Sequence, residues 1–380
     1  MDRRTFVAAL LAGVTASAFP LRAQTTSATH WRVLESEGFD AIAFLGALSG
    51  RDIYRTHYAA DADAFGAKLG QPVVDEIKAL WADAEPKVGL LWPSLCTFLS
   101  GADISTIDKV IAALGDPERI VRPAYQASQY WDAKDWAWFT GAAPRVARVF
   151  EAMQTAGFAA FRKERTGGLA ARAADIQRGL ASYDVIKWQK KLTGRDFKPE
   201  IAIYLLQFSK PHGVKVQGQA FLQSADYDVA TTVRIAAHEM LHPPVPMDGA
   251  TAKAALALLG KDPLIPRIAR DHDPKWGYTT VEGLFNEDLT QALDQLISEG
   301  LGVARNPADR WRKADDGIHV LAGAFYGLLR EDHWQDTGGP IERWLADAIQ
   351  RGRLAPGNLH AVAARVLERP AGSLWPLPKT

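Results

Sequence analysis

The chain has a single cysteine among its 380 residues, so it cannot form an internal disulfide bond. Its stability must come from a hydrophobic core and from any metal ion that it binds. The one thiol, Cys96, stands in an apolar segment without a nearby histidine that could activate it. We therefore predict that Cys96 is a buried structural residue and not a nucleophile.

An excess of charge of either sign is also missing, because 44 Lys and Arg residues balance 44 Asp and Glu residues. Lysines and arginines do not cluster with aromatic residues, which argues against binding to nucleic acid or to a membrane surface. Hydrophobic residues make up 47% of the chain and charged residues 23%, so extensive disorder is not indicated. A chain of this length has room for one large domain or two.

The most apolar stretch lies near the N-terminus, from Phe6 to Ala18, and small residues follow at positions suited to cleavage. Residues 1–23 are therefore predicted to be a signal peptide. Arg3 and Arg4 before Phe6 resemble a bacterial twin-arginine signal, and a general secretory signal is the alternative. The stretch is short for a membrane span. Both interpretations predict a periplasmic or secreted protein without a membrane anchor after signal cleavage.

From Trp31 to about Lys190 the hydrophobic pattern predicts helices throughout. The clearest are expected in these segments: residues 35–48, from Pro72 to Ala84, residues 105–115, and a long stretch opening at Pro144. Three tryptophans in this region, Trp131, Trp136 and Trp138, are interpreted as core, with a binding surface as the alternative.

The pattern changes near Pro199. The run from Ile201 to Phe208 is apolar and strand-like, and the run from Val214 to Leu222 alternates as a second strand. A turn between these runs predicts a hairpin, and helix resumes around Val229. The order is therefore strand, strand, helix.

These patterns predict a mainly α (α+β) fold. We expect a helical region over residues 30–195 and a domain over residues 196–350 with a small antiparallel hairpin or sheet and a metal-binding helix. A C-terminal helix and tail are expected over residues 351–380.

The most informative motif lies on that helix. His238 and His242 are four residues apart with Glu239 between them, the H-E-x-x-H pattern of zinc hydrolases. Residues i and i+4 share a helix face, so both imidazoles can reach one Zn²⁺ ion. Glu239 can act as general base toward a metal-bound water. Pro243 and Pro244 follow at once, which predicts that the helix stops at His242.

The order of strands and metal helix resembles the zincin metallopeptidases, in which a sheet edge holds an extended substrate above the cleft. The resemblance is to gluzincins, whose third zinc ligand is a glutamate. Glu287 follows Asn286 as in the Asn-Glu helix of thermolysin-like members, and Glu282 in Val281-Glu282-Gly283 resembles the aminopeptidase type.

Helix periodicity favours Glu287 as the third ligand, because it points away from the apolar stripe of its helix while Glu282 lies at the flank of that stripe. Glu282 remains the alternative. Gln291 stands where thermolysin-like proteins have an aspartate that orients a zinc histidine, which predicts weaker support of that histidine.

Residues 315–323 resemble the thermolysin-like segment whose histidine stabilises the oxyanion. The resemblance implies that His319 is this donor, oriented by Asp315 or Asp316, with Tyr326 as the alternative. The triplet at residues 271–273 is interpreted as a loop, with a second metal site as the alternative.

Together these features predict an exported zinc metallopeptidase that acts on a peptide or protein. One alternative is a catalytically silent binding or structural protein with this fold. Another is a zinc amidase acting on cell-wall peptides. The sequence leaves the substrate and the oligomeric state open.

Overall fold

The computed structural model describes residues 29–377, so the predicted signal peptide lies outside the described residues. Four strands are present in this range: β1 (His30–Glu35), β2 (Glu200–Leu206), β3 (Val214–Val216) and β4 (Ala220–Ser224). None of the helices within residues 29–377 combines the length and the apolar character needed to cross a membrane.

Within the described range, eleven helices lie between β1 and β2: α1 (Glu37–Leu48), α2 (Asp52–Leu69), α3 (Gln71–Val88), α4 (Leu91–Leu99), α5 (Ile107–Gly115), α6 (Pro117–Ile120), α7 (Arg122–Gln126), α8 (Ala133–Thr155), α9 (Phe158–Thr166), α10 (Leu169–Leu180) and α11 (Val185–Thr193). Nine more follow β4: α12 (Val229–Glu239), α13 (Ala250–Leu259), α14 (Ile265–Asp271), α15 (Val281–Gly300), α16 (Pro307–Trp311), α17 (Val320–Glu331), α18 (Trp334–Thr337), α19 (Ile341–Gln350) and α20 (Pro356–Leu367). The predicted mainly α (α+β) class is confirmed.

The strands form one sheet in the order β1-β2-β4-β3. β2 pairs with β1 and with β4 in parallel, and β3 pairs with β4 antiparallel. The predicted hairpin between the runs 201–208 and 214–222 is therefore wrong. The second run contains a turn at Gly218, whose φ of 76° suits glycine, and this turn joins β3 to β4. β2 is apolar on both faces because it is a central, covered strand.

The prediction of helix from Trp31 onward is wrong for residues 30–35, which form β1. This strand pairs with β2 in a register that sets His30 opposite Glu200, far along the chain. A parallel partner at such a distance leaves no local signal in the sequence.

The sheet lies between two helical layers. Alternation along β2 directs Ile201, Ile203 and Leu205 into one core cluster and Leu206 into the other. The second cluster is built mainly by helices α1 to α9, and the first by α10, α11 and the helices that follow β4. Helices α10 and α11 thus precede residue 195 but pack with the C-terminal layer.

Helices predicted before residue 190 mostly form, with small differences at their ends. α3 has Pro72 in its first turn and runs to Val88, and α5 begins after the capping residue Thr106. The prediction that Pro144 opens a helix is wrong, because Pro144 lies inside α8. Cys96 is fully buried, as predicted.

The predicted tryptophan cluster packs in the N-terminal layer. Trp136 is 6% exposed, and Trp131 and Trp138 are partly buried against the same core cluster. The interpretation of these residues as core is confirmed.

Asp40 on α1 ties the N-terminal layer to the sheet. Its carboxylate is fully buried and accepts hydrogen bonds from Arg162 Nε at 2.7 Å and from the backbone N–H groups of Gln207 and Phe208 at 2.7 and 3.2 Å. Burial raises the pKa of Asp40 to about 6, and these three partners offset part of the loss of hydration of its charge.

We expect Asp40→Ala to lower the free energy of unfolding by about 3 kcal/mol or more, because it leaves the buried Arg162 guanidinium without its closest carboxylate. Asp63→Ala is the control, since the Asp63–Arg55 ion pair is exposed and its loss should change the free energy of unfolding far less. Urea unfolding measures both. Equal losses in the two variants would contradict the stabilising role of Asp40.

Candidate metal centre

α12 begins at the capping residue Asp228 and ends at Glu239. The prediction that it reaches His242 is wrong by three residues. Met240 caps the helix, the backbone N–H of Leu241 donates to the carbonyl of His238, and His242 stands in the turn beyond. Because Pro243 follows it, His242 is disfavoured in the helical conformation. The turn that contains His242 begins before this residue, so the helix ends at Glu239.

Side chains from other elements hold the chain where α12 ends. Gln189 donates to the carbonyls of Ala236 and Ala237, and Arg195 donates to those of Leu241 and Pro243. Lys215 Nζ donates to the carbonyl of His242 at 2.8 Å. These bonds satisfy carbonyl groups that a helix end leaves free, and they fix His242 although it lies outside the helix.

His238, His242 and Glu287 meet at one place, and their nearest ligand atoms lie within 4.8 Å of one another. The two Nε2 atoms are 3.0 Å apart, and each is 3.5 Å from a carboxylate oxygen of Glu287. Zinc bound tetrahedrally at about 2.0–2.1 Å sets its ligand atoms about 3.3–3.4 Å apart. The 3.0 Å between the imidazole nitrogens and the 3.5 Å from each of them to a different oxygen of Glu287 are close to that spacing.

Glu282, the alternative ligand, lies in the exposed first turn of α15 and is not part of this group. Glu287 is 6% exposed, one and a half turns further along the same helix. The structure therefore brings together the histidines and the glutamate that helix periodicity favoured.

No protein-family model, curated protein or solved structure matches this chain. The resemblance to gluzincins thus rests on the short motifs alone.

The charges around the two histidines make them unequal. Burial lowers the pKa of His238, but the carboxylates of Glu287, Asp294 and Glu239 more than offset this and raise that pKa to about 9. Burial and the neighbouring His238 charge lower the pKa of His242 to about 4. At neutral pH without metal, His238 Nε2–H can donate to the free lone pair of His242 Nε2. A dication at this position would replace that proton.

His238 is supported by a carboxylate that sequence reasoning missed. Asp294 Oδ2 lies 2.7 Å from His238 Nδ1, and Arg310 Nη2 donates to the same oxygen at 2.9 Å. Asp294 lies seven residues after Glu287, which brings both to nearly the same face of α15. The predicted weak support of the histidine is therefore wrong.

Gln291, expected in that supporting position, instead orients the glutamate. Its Nε2 donates to Glu287 Oε1 at 2.8 Å, and its Oε1 accepts from Trp311 Nε1 at 2.6 Å. A carboxylate ligand that is itself hydrogen-bonded is held at the geometry the metal needs.

Glu239 lies beside this group without joining it. Burial raises the pKa of its carboxyl to about 7, although His238 and Lys215 act in the opposite direction. The backbone N–H of Lys215 donates to this carboxylate, so β3, the edge strand, positions it. A carboxyl group with a pKa near neutrality can both take up and release a proton at working pH.

The edge strand is shorter than the hairpin predicted for substrate binding. β3 has three residues, the N–H of Lys215 is bound to Glu239, and the N–H of Gln217 donates to Ser100. Little of this edge is left for strand addition by a substrate.

His319 is fully buried between two carboxylates. Its Nδ1 lies 2.7 Å from Asp288 and its Nε2 lies 2.8 Å from Asp315, while Asp316 accepts instead from Trp276. Burial lowers the pKa of His319, but these carboxylates more than offset this and raise it to about 10. Both N–H groups of the imidazolium are thus committed, so the predicted donation to an oxyanion does not fit.

Tyr326, the alternative donor, lies elsewhere. Its hydroxyl donates to Glu299, 2.6 Å away, and Glu299 follows Glu287 on α15 by twelve residues, or about 18 Å of helix. The phenol that borders the metal-binding group is Tyr278, just before α15. Its hydroxyl lies near the Glu287 carboxylate, and burial and then this carboxylate raise its pKa.

The triplet at residues 271–273 does not present a metal ligand through its histidine. His272 is buried, and its ring nitrogens contact the carbonyl oxygens of Ile268 and Gly277 at 2.7 and 2.5 Å. Asp271 is the last residue of α14 and His272 and Asp273 follow it, so the interpretation of the triplet as a loop holds for two of its three residues.

Proposed function

We propose that this protein is a zinc-dependent metallopeptidase. The observation that carries the proposal is the group of His238, His242 and Glu287, whose ligand atoms lie within 4.8 Å of one another, with the carboxylate of Glu239 beside it and outside it. Two imidazoles and one carboxylate form a donor set that suits Zn²⁺ and leaves a position for water. Bound zinc would polarise a substrate carbonyl and lower the pKa of that water.

The residues of the chain then divide the remaining work. Glu239 takes a proton from the attacking water while the water oxygen bonds to the carbonyl carbon of the substrate. It then passes that proton to the peptide nitrogen as the C–N bond breaks. Asp294 holds His238 through Nδ1, and Gln291 holds Glu287. We assign to Tyr278 the role first expected of His319 or Tyr326. Its hydroxyl, which lies near Glu287, would turn to the developing oxyanion once that carboxylate holds a metal ion.

Metal analysis and cleavage of a mixed peptide library test the proposal together. We expect about one zinc ion per chain and cleavage of peptides that a chelator stops and added zinc restores. Bound zinc without cleavage would favour the catalytically silent alternative. Cleavage confined to cell-wall peptides would favour the amidase, and the absence of zinc would refute the metal centre.

A further inference from the structure

A cavity of about 410 Å³ opens beside the metal-binding group. Its lining includes His238, Glu239 and Asp294 together with three arginines, Arg234, Arg305 and Arg310. Its volume lies within the range of ligand sites, about 300–1,000 Å³. A substrate group bound in this cavity would lie next to the peptide bond whose hydrolysis Glu239 is proposed to assist.

The three arginines differ in the groups to which they donate hydrogen bonds. Arg310 is paired with Asp294. Arg234 donates only to uncharged groups, the carbonyl of Val303 at 2.9 Å and the hydroxyl of Thr231 at 2.7 Å. Among the described residues, the guanidinium of Arg305 makes neither an ion pair nor a hydrogen bond within contact distance.

Arg305 is nevertheless close to the other two. Arg305 is exposed, yet partial loss of hydration and the charges of Arg310 and Arg234 lower the pKa of its guanidinium, and the charge of Asp294 acts against them. Two positive charges without an ion-pair partner within contact distance therefore line one small cavity, whose carboxylate Asp294 is already bound to His238 and Arg310. Placing like charges together costs free energy unless an anion joins them.

We propose that this cavity binds a carboxylate of the substrate, held by Arg305 and Arg234. Planar guanidinium groups bind a carboxylate through two parallel N–H···O bonds. The inference rests on the proposed peptidase function, because it assigns the substrate class of that site: peptides with an acidic side chain or a free C-terminal carboxylate next to the scissile bond.

Paired peptides test this inference. Each pair differs only in glutamate against glutamine beside the cleaved bond, or in a free against an amidated C-terminus. We expect kcat/KM to be at least about tenfold higher for one carboxylate-bearing member, mainly through a lower KM. The pair that shows the effect identifies which carboxylate is bound. Equal rates within both pairs would overturn the inference while leaving the peptidase function in place.

The variants Arg305→Gln and Arg305→Lys locate the effect. Because the Arg305 guanidinium has no partner in the described structure, its removal should not unfold the protein. We expect the ratio of kcat/KM between the two members of a pair to approach one in Arg305→Gln. In Arg305→Lys this ratio should be reduced but remain above one. Arg119→Gln, which changes an exposed arginine on α6 paired with Asp116, should keep the full preference. An unchanged preference in Arg305→Gln would refute the site.

A binding measurement separates this inference from the proposed hydrolysis. Calorimetry with the same peptide pairs and the Glu239→Gln variant reports carboxylate selectivity without cleavage. If wild-type protein cleaves no peptide but this variant still prefers the carboxylate member, the cavity is confirmed and the peptidase function fails. Equal binding of both members would reject the cavity independently.

Discussion

Glu239→Gln is expected to reduce peptide cleavage by about 10²–10⁴-fold while zinc remains bound. The amide keeps the size of the side chain and can still contact the edge strand, but it cannot accept the proton of the attacking water. Since Glu239 is not one of the three clustered ligands, the donor set stays complete. Kinetics and metal analysis on the same preparation check this prediction.

Two results would contradict that role of Glu239. Cleavage at the wild-type rate in Glu239→Gln would show that another group takes the proton. Loss of zinc together with activity would show that Glu239 supports the metal instead. Glu239 must be ionised to accept the proton, so the wild-type rate should fall as the pH drops through the pKa of this carboxyl, which burial raises.

Glu287→Ala is expected to remove nearly all zinc and, with it, all cleavage. Replacing a residue that only supports a ligand commonly weakens metal binding by about 10–100-fold, and removal of a ligand should cost more. Glu282→Ala is the matched control, since it changes the same residue type on the same helix at an exposed position. Zinc per chain after dialysis distinguishes the two.

Loss of the fold could also release zinc, so a second variant is needed. Glu287→Gln keeps the shape of the side chain and can still bond to Gln291, yet it lacks the charge that attracts the metal. We expect zinc to be lost at an unchanged secondary-structure content by circular dichroism. Zinc retained in Glu287→Gln and lost in Glu282→Ala would reverse the assignment of the third ligand.

The parts of the site that the sequence predicted are those governed by local geometry. His238 and His242 are close in sequence, and the apolar stripe of α15 correctly separated Glu287 from Glu282. Asp294 could have been found by the same reasoning, because seven residues make almost two helical turns. The resemblance to thermolysin-like proteins instead placed the residue that supports the histidine at Gln291.

The remaining features depend on contacts between distant segments. Tyr278 reaches Glu287 from a loop in which Gly277 and Tyr278 both have positive φ, a conformation that the sequence does not announce. The cavity beside the metal-binding group combines Arg234 of α12 with Arg305 and Arg310, which follow α15 in the chain. Likewise, β1 could not be recognised without knowledge of its partner, β2.

The position of β3 limits the fragments into which the protein can be divided. The side chain of Gln217, just after β3, donates to the carbonyls of Thr97 and Phe98 on α4, so the N-terminal layer holds the strand that positions Glu239. A fragment starting at residue 196 would keep every proposed ligand but lose this anchor, and would also expose the edge of β2. Exposed apolar edges promote aggregation. The helical first half is thus a folding requirement of the centre, and recombinant fragments should retain it.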